Sequence, residues 1–160
     1  RVCAGRDDIV FAVAGEGSGE KKIRRRIAAA GLDAKFHLLG YRNDLDSLMA
    51  GCDIFVLSSI FEGMPNVVME AMAAGAPVIA TDVNGVGELM NDGETGVIVP
   101  PRNPEAIASA VESLADDPVR REEYGRRGRV RVESRFTMDI MVRNLEEYFA
   151  EKIREKRAES

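Results

Sequence analysis

A chain of 160 residues, 45% apolar and with a net charge of −5, is long enough for one packed domain and too acidic for a nucleic-acid surface. One histidine and two cysteines, Cys3 and Cys52, exclude a disulfide framework and a zinc cluster of ordinary ligand spacing. The chain shows no signal peptide, long apolar run or lipidation motif, so a soluble protein with reduced thiols in the cytoplasm is expected, any membrane contact being peripheral and made through a longer protein.

Ile9 to Ala14 is a continuous apolar run closed by Gly15, the pattern of a strand covered on both faces. Ser18 to about Gly31 reads as a helix, with Ser18 as its cap, Gly31 as its stop and Ile23 and Ile27 one turn apart. The intervening Gly15-Glu16-Gly17-Ser18-Gly19-Glu20 invites a dinucleotide-binding reading. That fingerprint needs glycine or alanine at its sixth place, for close helix–sheet packing, and Glu20 stands there. Gly15 and Gly17 therefore either make a simple tight turn or let backbone approach a phosphate.

Phe36 to Leu39 is the next strand, and its His37 has no partner at metal-ligand or triad spacing. In the following loop, Gly40-Tyr41-Arg42-Asn43-Asp44, Arg42 either stacks on a base or stays in solvent. A short helix from Asn43 to about Gly51 leads to a third strand, Asp53 to Leu57, and Cys52 at its entry reads as core. Asn66 to Ala74 is a helix of mostly small residues, which permit close approach to a sheet. Pro77 to Ala80 and Gly96 to Val99 are the fourth and fifth strands, around one or two helical turns at Gly87 to Asn91.

Beyond Val99 the chain is wholly helical. Asn103-Pro104-Glu105 and Asp117-Pro118 each place a capping residue before a proline. The helices they start run to about Ala115 and Ser134. Thr137 caps a last helix to about Lys156, with Ile140, Val142, Leu145, Tyr148 and Phe149 expected to face mostly inward and residues 155–160 expected as a disordered tail. The basic clusters, Lys21 to Arg26 and Arg126 to Arg131, read as solvated helix faces, with phosphate or an anionic membrane as the alternative. Alternating strands and helices define an α/β fold, a Rossmann-like parallel sheet with helices on both faces. Ligands of such sheets lie beyond the carboxyl ends of the strands.

The segment Glu62-Gly63-Met64-Pro65-Asn66-Val67-Val68-Met69-Glu70 sits at that edge, between an apolar strand and a helix start. The first N–H groups of a helix have no internal partner and lie at the positive end of the macrodipole, which suits phosphate. Pro65 suits the first helical position, leaving the amides of Asn66, Val67 and Val68 for a ligand. Glu62 and Glu70 are poor partners for phosphate and good acceptors for sugar hydroxyls. A helix cap is the plain alternative for Glu62, and a surface acid for Glu70. Amides for a diphosphate beside carboxylates for hydroxyls describe a nucleotide-sugar. Thr81 to Glu88 forms another glycine-containing turn at the same edge, and Glu88 there is equally a helix-start acid.

Glu62 and Glu70, seven residues apart, followed by Ala71-Met72-Ala73-Ala74-Gly75-Ala76-Pro77-Val78-Ile79-Ala80-Thr81, then Gly85 to Leu89 and Asp92 to Pro101, resemble the E-x7-E signature of retaining glycosyltransferases of the GT-B fold, family 4. Nearly the whole chain is similar to the donor-binding, C-terminal half of that fold. The resemblance implies Glu62 at the transferred sugar and Glu70 on the ribose hydroxyls. It also implies Gly63 allowing close approach, Asn66 and Val67 amides on diphosphate or sugar, Gly15 and Gly17 near the phosphates, and the Arg42 loop near the base. It implies no bound metal or other cofactor, and a UDP- or GDP-sugar type of donor. Family members supply an arginine and a lysine from the segment after the first strand, for which Gly5-Arg6 is not a convincing substitute. Residues 1–160 are thus expected as a single domain lacking that strand and helix and the N-terminal acceptor domain, and inactive alone. The alternatives are a GT-B nucleotide-sugar epimerase and a non-catalytic nucleotide-sugar-binding module.

Overall fold

The computed structural model describes residues 2–158. In chain order the elements are α1 (Val2–Gly5), β1 (Phe11–Ala14), α2 (Glu20–Ala29), β2 (Phe36–Gly40), α3 (Leu45–Gly51), β3 (Phe55–Leu57), α4 (Asn66–Ala74), β4 (Val78–Thr81), α5 (Val86–Leu89), β5 (Gly96–Val99), α6 (Pro104–Ala115), α7 (Pro118–Arg135) and α8 (Met138–Ala158). All strand pairing is parallel. The strands form two hydrogen-bonded sheets, β1–β2 and β3–β4–β5, rather than the single sheet expected. β1 bonds only to β2, and β3 only to β4, so each keeps one unpaired edge among the described residues.

The centre of the molecule is β4. Its four residues are all fully buried, and alternation along the strand sends them into two cores. Val78 and Ala80 join Met49, Val68, Ala71, Met72, Val86 and Leu89 on one face. Ile79 joins Val99, Ala108, Val111, Leu114 and Tyr124 on the other. Helices therefore cover both faces, as the continuous apolar strand requires. Phe11 of β1 and Val56 of β3, with Ile9 and Ile54 just before those strands, pack against the same Ile79–Leu114 cluster, which joins the two sheets over one helix layer.

The helix ends follow local chemistry closely in the C-terminal half. Asn103 accepts from the Ala106 amide at 3.0 Å, and Asp117 from the Arg120 amide at 2.9 Å. Gly75 ends α4 in the left-handed region at φ 83°, where glycine carries no Cβ penalty. Elsewhere the expectations need correction. Gly19, not Ser18, occupies the N-cap of α2, without any side-chain bond. Of the apolar residues of α8 expected to face inward, only Ile140 is partly buried; Val142, Leu145, Tyr148 and Phe149 are 44–55% exposed, because among the described residues no other element packs extensively along this helix. α8 also continues through Ala158, so residues 155–158 are helical, and the rest of the expected tail lies outside the described residues.

Candidate donor site at the β3–α4 turn

The loop leaving β3 carries Glu62, and its position is fixed from two sides. The Ser59 hydroxyl donates to Glu62 Oε1 at 2.7 Å. Gly85, at φ 80°, lies so close behind that a Cβ there would stand 2.6 Å from the Gly63 carbonyl oxygen and 2.9 Å from Met64 Cα. Only glycine combines that backbone angle with that approach. The β4–α5 turn is thus packed on the Glu62 loop, and α5 is held in turn by α7. Arg131 donates to the carbonyls of Leu89 and Glu88, at 2.6 and 2.8 Å, satisfying acceptors that a helix end leaves open. Burial together with the neighbouring Arg135 charge pushes the Arg131 guanidinium below its ordinary range.

Pro65 is buried, and it is the N-cap of α4 rather than its first helical residue. Its carbonyl takes the Val68 amide at 2.9 Å, so Val68 is not among the donors left for a ligand. Among the described residues no acceptor meets the Asn66 and Val67 amides. α4 makes no side-chain cap bond, and the carboxylate of Glu62 is turned to Ser59. The cap reading of Glu62 therefore does not describe this structure. Glu62 is half-buried, while Gly63, Asn66 and Glu70 are exposed.

The rear of α4 explains why it holds this pose. α7 lies across it, and a Cβ on Gly125 would overlap the Gly75 carbonyl oxygen. Gly128 faces Met72 with no room to spare beyond ordinary contact. Small residues on both helices bring the backbones together, so the N-terminus of α4 is braced from its far end.

Gly15, at φ 127°, closes β1 and donates its amide to the Gly40 carbonyl at 2.7 Å, joining the loops after β1 and β2. Gly17 is exposed, with open space where a Cβ would stand. Arg42 is exposed on the loop after β2. Its guanidinium grips Asp44 through two bonds, one of 2.7 Å, and this pairing raises Arg42 and lowers the Asp44 carboxyl from their ordinary ranges. Arg6 is committed elsewhere, to Asp8 and Asp116, which ties the end of α1 to that of α6. His37 is exposed on β2, in a groove with Arg24, Asp33 and Phe36. No cluster of three or more potential metal ligands occurs among the described residues. No helix among them is long and apolar enough to cross a membrane.

Sequence reasoning placed Thr81 and Gly85 in a turn at the ligand edge and Arg131 on a solvated helix face, and missed the contacts by which they and Ser59 hold the site. Ser59 had a local signal, a hydroxyl three residues before the glutamate. Thr81, a polar residue closing a wholly buried strand, was another. The contacts of Gly85 and Arg131 span long sequence separations and had none.

The model of the family described as glycosyl transferases group 1 matches residues 1–131. The chain belongs to that family. Every position of the site, from Gly15 to Glu88, falls inside the matched part, and α8 falls outside it. Among curated relatives of this glycosyltransferase domain, the alpha-D-kanosaminyltransferase of Streptomyces kanamyceticus is 37% identical over 117 residues, 72% of this chain and 30% of that protein. The capsular polysaccharide biosynthesis glycosyltransferase CapM of Staphylococcus aureus is 38% identical over 112 residues, again 30% of the relative's length. The chain thus spans about a third of such proteins. Anabaena Alr3699/HepE, solved in complex with UDP, superposes with a TM-score of 0.87 at 24% identity, covering 94% of this chain and 43% of that one. The α/β fold is that of the GT-B glycosyltransferases.

Proposed function

We propose that this domain binds the nucleotide-diphosphate sugar of a retaining, family 4 hexosyltransferase, which moves the sugar to an acceptor held by the rest of the protein. The observation that carries the reading is the β3–α4 turn. It sets two unpartnered amides, of Asn66 and Val67, beside an acid that does not cap the helix. In this reading the amides and the glycines at 15 and 17 receive phosphate oxygens. Glu62 contacts the transferred sugar, Glu70 the ribose hydroxyls, Gly63 leaves room for the ligand, and the Arg42 loop lies near the base. The transfer needs no resident metal, so chelation leaves turnover intact.

Two features support a larger parent with a strand before residue 2 and a separate acceptor domain. β1 is apolar yet largely exposed, with Val13 at 39% and Val10 just before the strand at 57%, and both it and β3 keep an unpaired edge. A further parallel strand between them joins the two sheets into one and covers that surface. On α8, Met138, Met141, Val142, Leu145, Tyr148, Phe149 and Ile153 form an exposed apolar stripe at helical spacing, suited to the acceptor-domain part of the same polypeptide. Both cysteines are free thiols, which suits the reducing cytoplasm.

Saturation-transfer NMR with UDP-glucose, GDP-mannose and ADP-glucose tests the site. At least one nucleotide-sugar should give contacts that weaken in Glu70→Ala. In the longer protein Glu62→Ala should lose turnover, and the 160-residue chain alone should show none. Robust transfer by the isolated chain, or unchanged turnover in Glu62→Ala, contradicts the reading.

A further inference from the structure

We propose that Thr81 and Ser59 are positioning residues, a two-step hydroxyl relay that aims the Glu62 carboxylate at the donor sugar. The inference rests on the role given to Glu62 above and goes beyond it, because the E-x7-E glutamates by themselves assign no role to either hydroxyl.

Thr81 closes β4 and is fully buried. Its hydroxyl carries one proton and finds two carbonyls, that of Ser59 at 2.6 Å and that of Leu57 at 3.5 Å. Only the first is a good hydrogen bond, so the proton goes to Ser59. The reach is set by register: Leu57 of β3 pairs with Ala80 of β4, which brings the next residue of β4 alongside the loop that leaves β3. Ser59, with its backbone pinned, sends its own hydroxyl to Glu62 Oε1 at 2.7 Å. A hydroxyl bonded to an ionised carboxylate is among the stronger neutral-to-charged contacts. Oε1 is thereby occupied, and Oε2 has no partner among the described residues. The carboxylate presents one fixed oxygen instead of two rotating ones. From behind, Gly85 prevents the Gly63 end of the loop from retreating.

A buried threonine in an apolar strand is costly unless its hydroxyl is bonded. Valine has the same shape and a higher tolerance for such burial, so packing alone would favour valine at position 81. The hydroxyl is explained by what it holds. Thr81→Val preserves volume and removes the first bond, Ser59→Ala removes the second, and Thr81→Ser keeps the first bond at the loss of a methyl.

The test uses the full-length protein and reads nucleotide release from UDP-glucose, GDP-mannose or ADP-glucose, whichever turns over. Ser59→Ala and Thr81→Val should each lower kcat about 10- to 100-fold, the scale expected when a reacting group is misplaced by an ångström or less, with the donor KM little changed. Thr81→Ser should recover most of the rate. In a Glu62→Ala background, Ser59→Ala should add nothing, since a residue that acts through another is coupled to it. Amide exchange over Ile60 to Gly63 should quicken in Thr81→Val and return in Thr81→Ser, which reads the loop without any ligand. Additive effects of Ser59→Ala and Glu62→Ala, or unchanged exchange in Thr81→Val, overturn the relay while leaving the site reading intact. A Glu62→Ala protein with full turnover overturns both.

Discussion

β1 and β4 are written in nearly the same alphabet, Phe-Ala-Val-Ala against Val-Ile-Ala-Thr, and they meet opposite fates. β4 is buried along its whole length, while three of the four residues of β1 are exposed. The difference is one of neighbours. β4 has a strand on each side and helices across both faces; β1 has one strand and contributes only its first residue to the shared core. An apolar run states that a strand wants cover, and the surroundings state whether it has it.

Removing core volume should expose this contrast most. Ile79→Ala should cost about 2–5 kcal/mol in urea unfolding, because β4 cannot collapse around the cavity. Val13→Ala in the 160-residue chain should cost well under ~1 kcal/mol, as changes at exposed sites do. Similar costs at the two positions would break the comparison. A larger cost for Val13→Ala in the longer protein would sharpen it, since a docked strand would then cover that side chain.

Glycine substitutions come next. Gly125→Ala places a methyl against the Gly75 carbonyl oxygen, a backbone atom with nowhere to move. About 1–3 kcal/mol of destabilisation is expected, the range of overpacked interiors. Gly17→Ala meets open space and should leave the denaturation midpoint in place, whatever it does to ligand affinity.

The caps give a smaller pair. Asn103→Ala removes the bond to the Ala106 amide and should lower stability by about 1 kcal/mol. Ser18→Ala removes no cap bond from α2 and should be neutral by thermal denaturation.

The smallest effect concerns acid. Arg42 holds the Asp44 carboxyl below its ordinary range. The pair therefore supports its loop at all pH values above the ordinary carboxylate range and loses that support as pH falls and Asp44 takes up a proton. Both groups are exposed, so the contribution is local. Carbon-detected NMR should find the Asp44 titration midpoint depressed, and returned to ordinary in Arg42→Gln. A midpoint that does not move in that variant would remove the ion pair from the description.

Much of the molecule was legible in its residues. Asn103-Pro104 and Asp117-Pro118 announced their helices, because caps and prolines act over three or four positions. The β3–α4 turn, with Glu62 and the amides after Pro65, stood out for the same reason: its chemistry is local. The sequence could not say that the sheet is divided or that α8 is left uncovered. Nor could it reveal that a threonine 19 positions after Glu62 holds the loop on which that glutamate sits. Those outcomes depend on which strand edge lies beside which, and on how near Gly85 and Gly125 come to backbones far away in the chain. Short-range hydrogen bonding is encoded residue by residue; burial, close approach and the aim of a carboxylate belong to the packed whole.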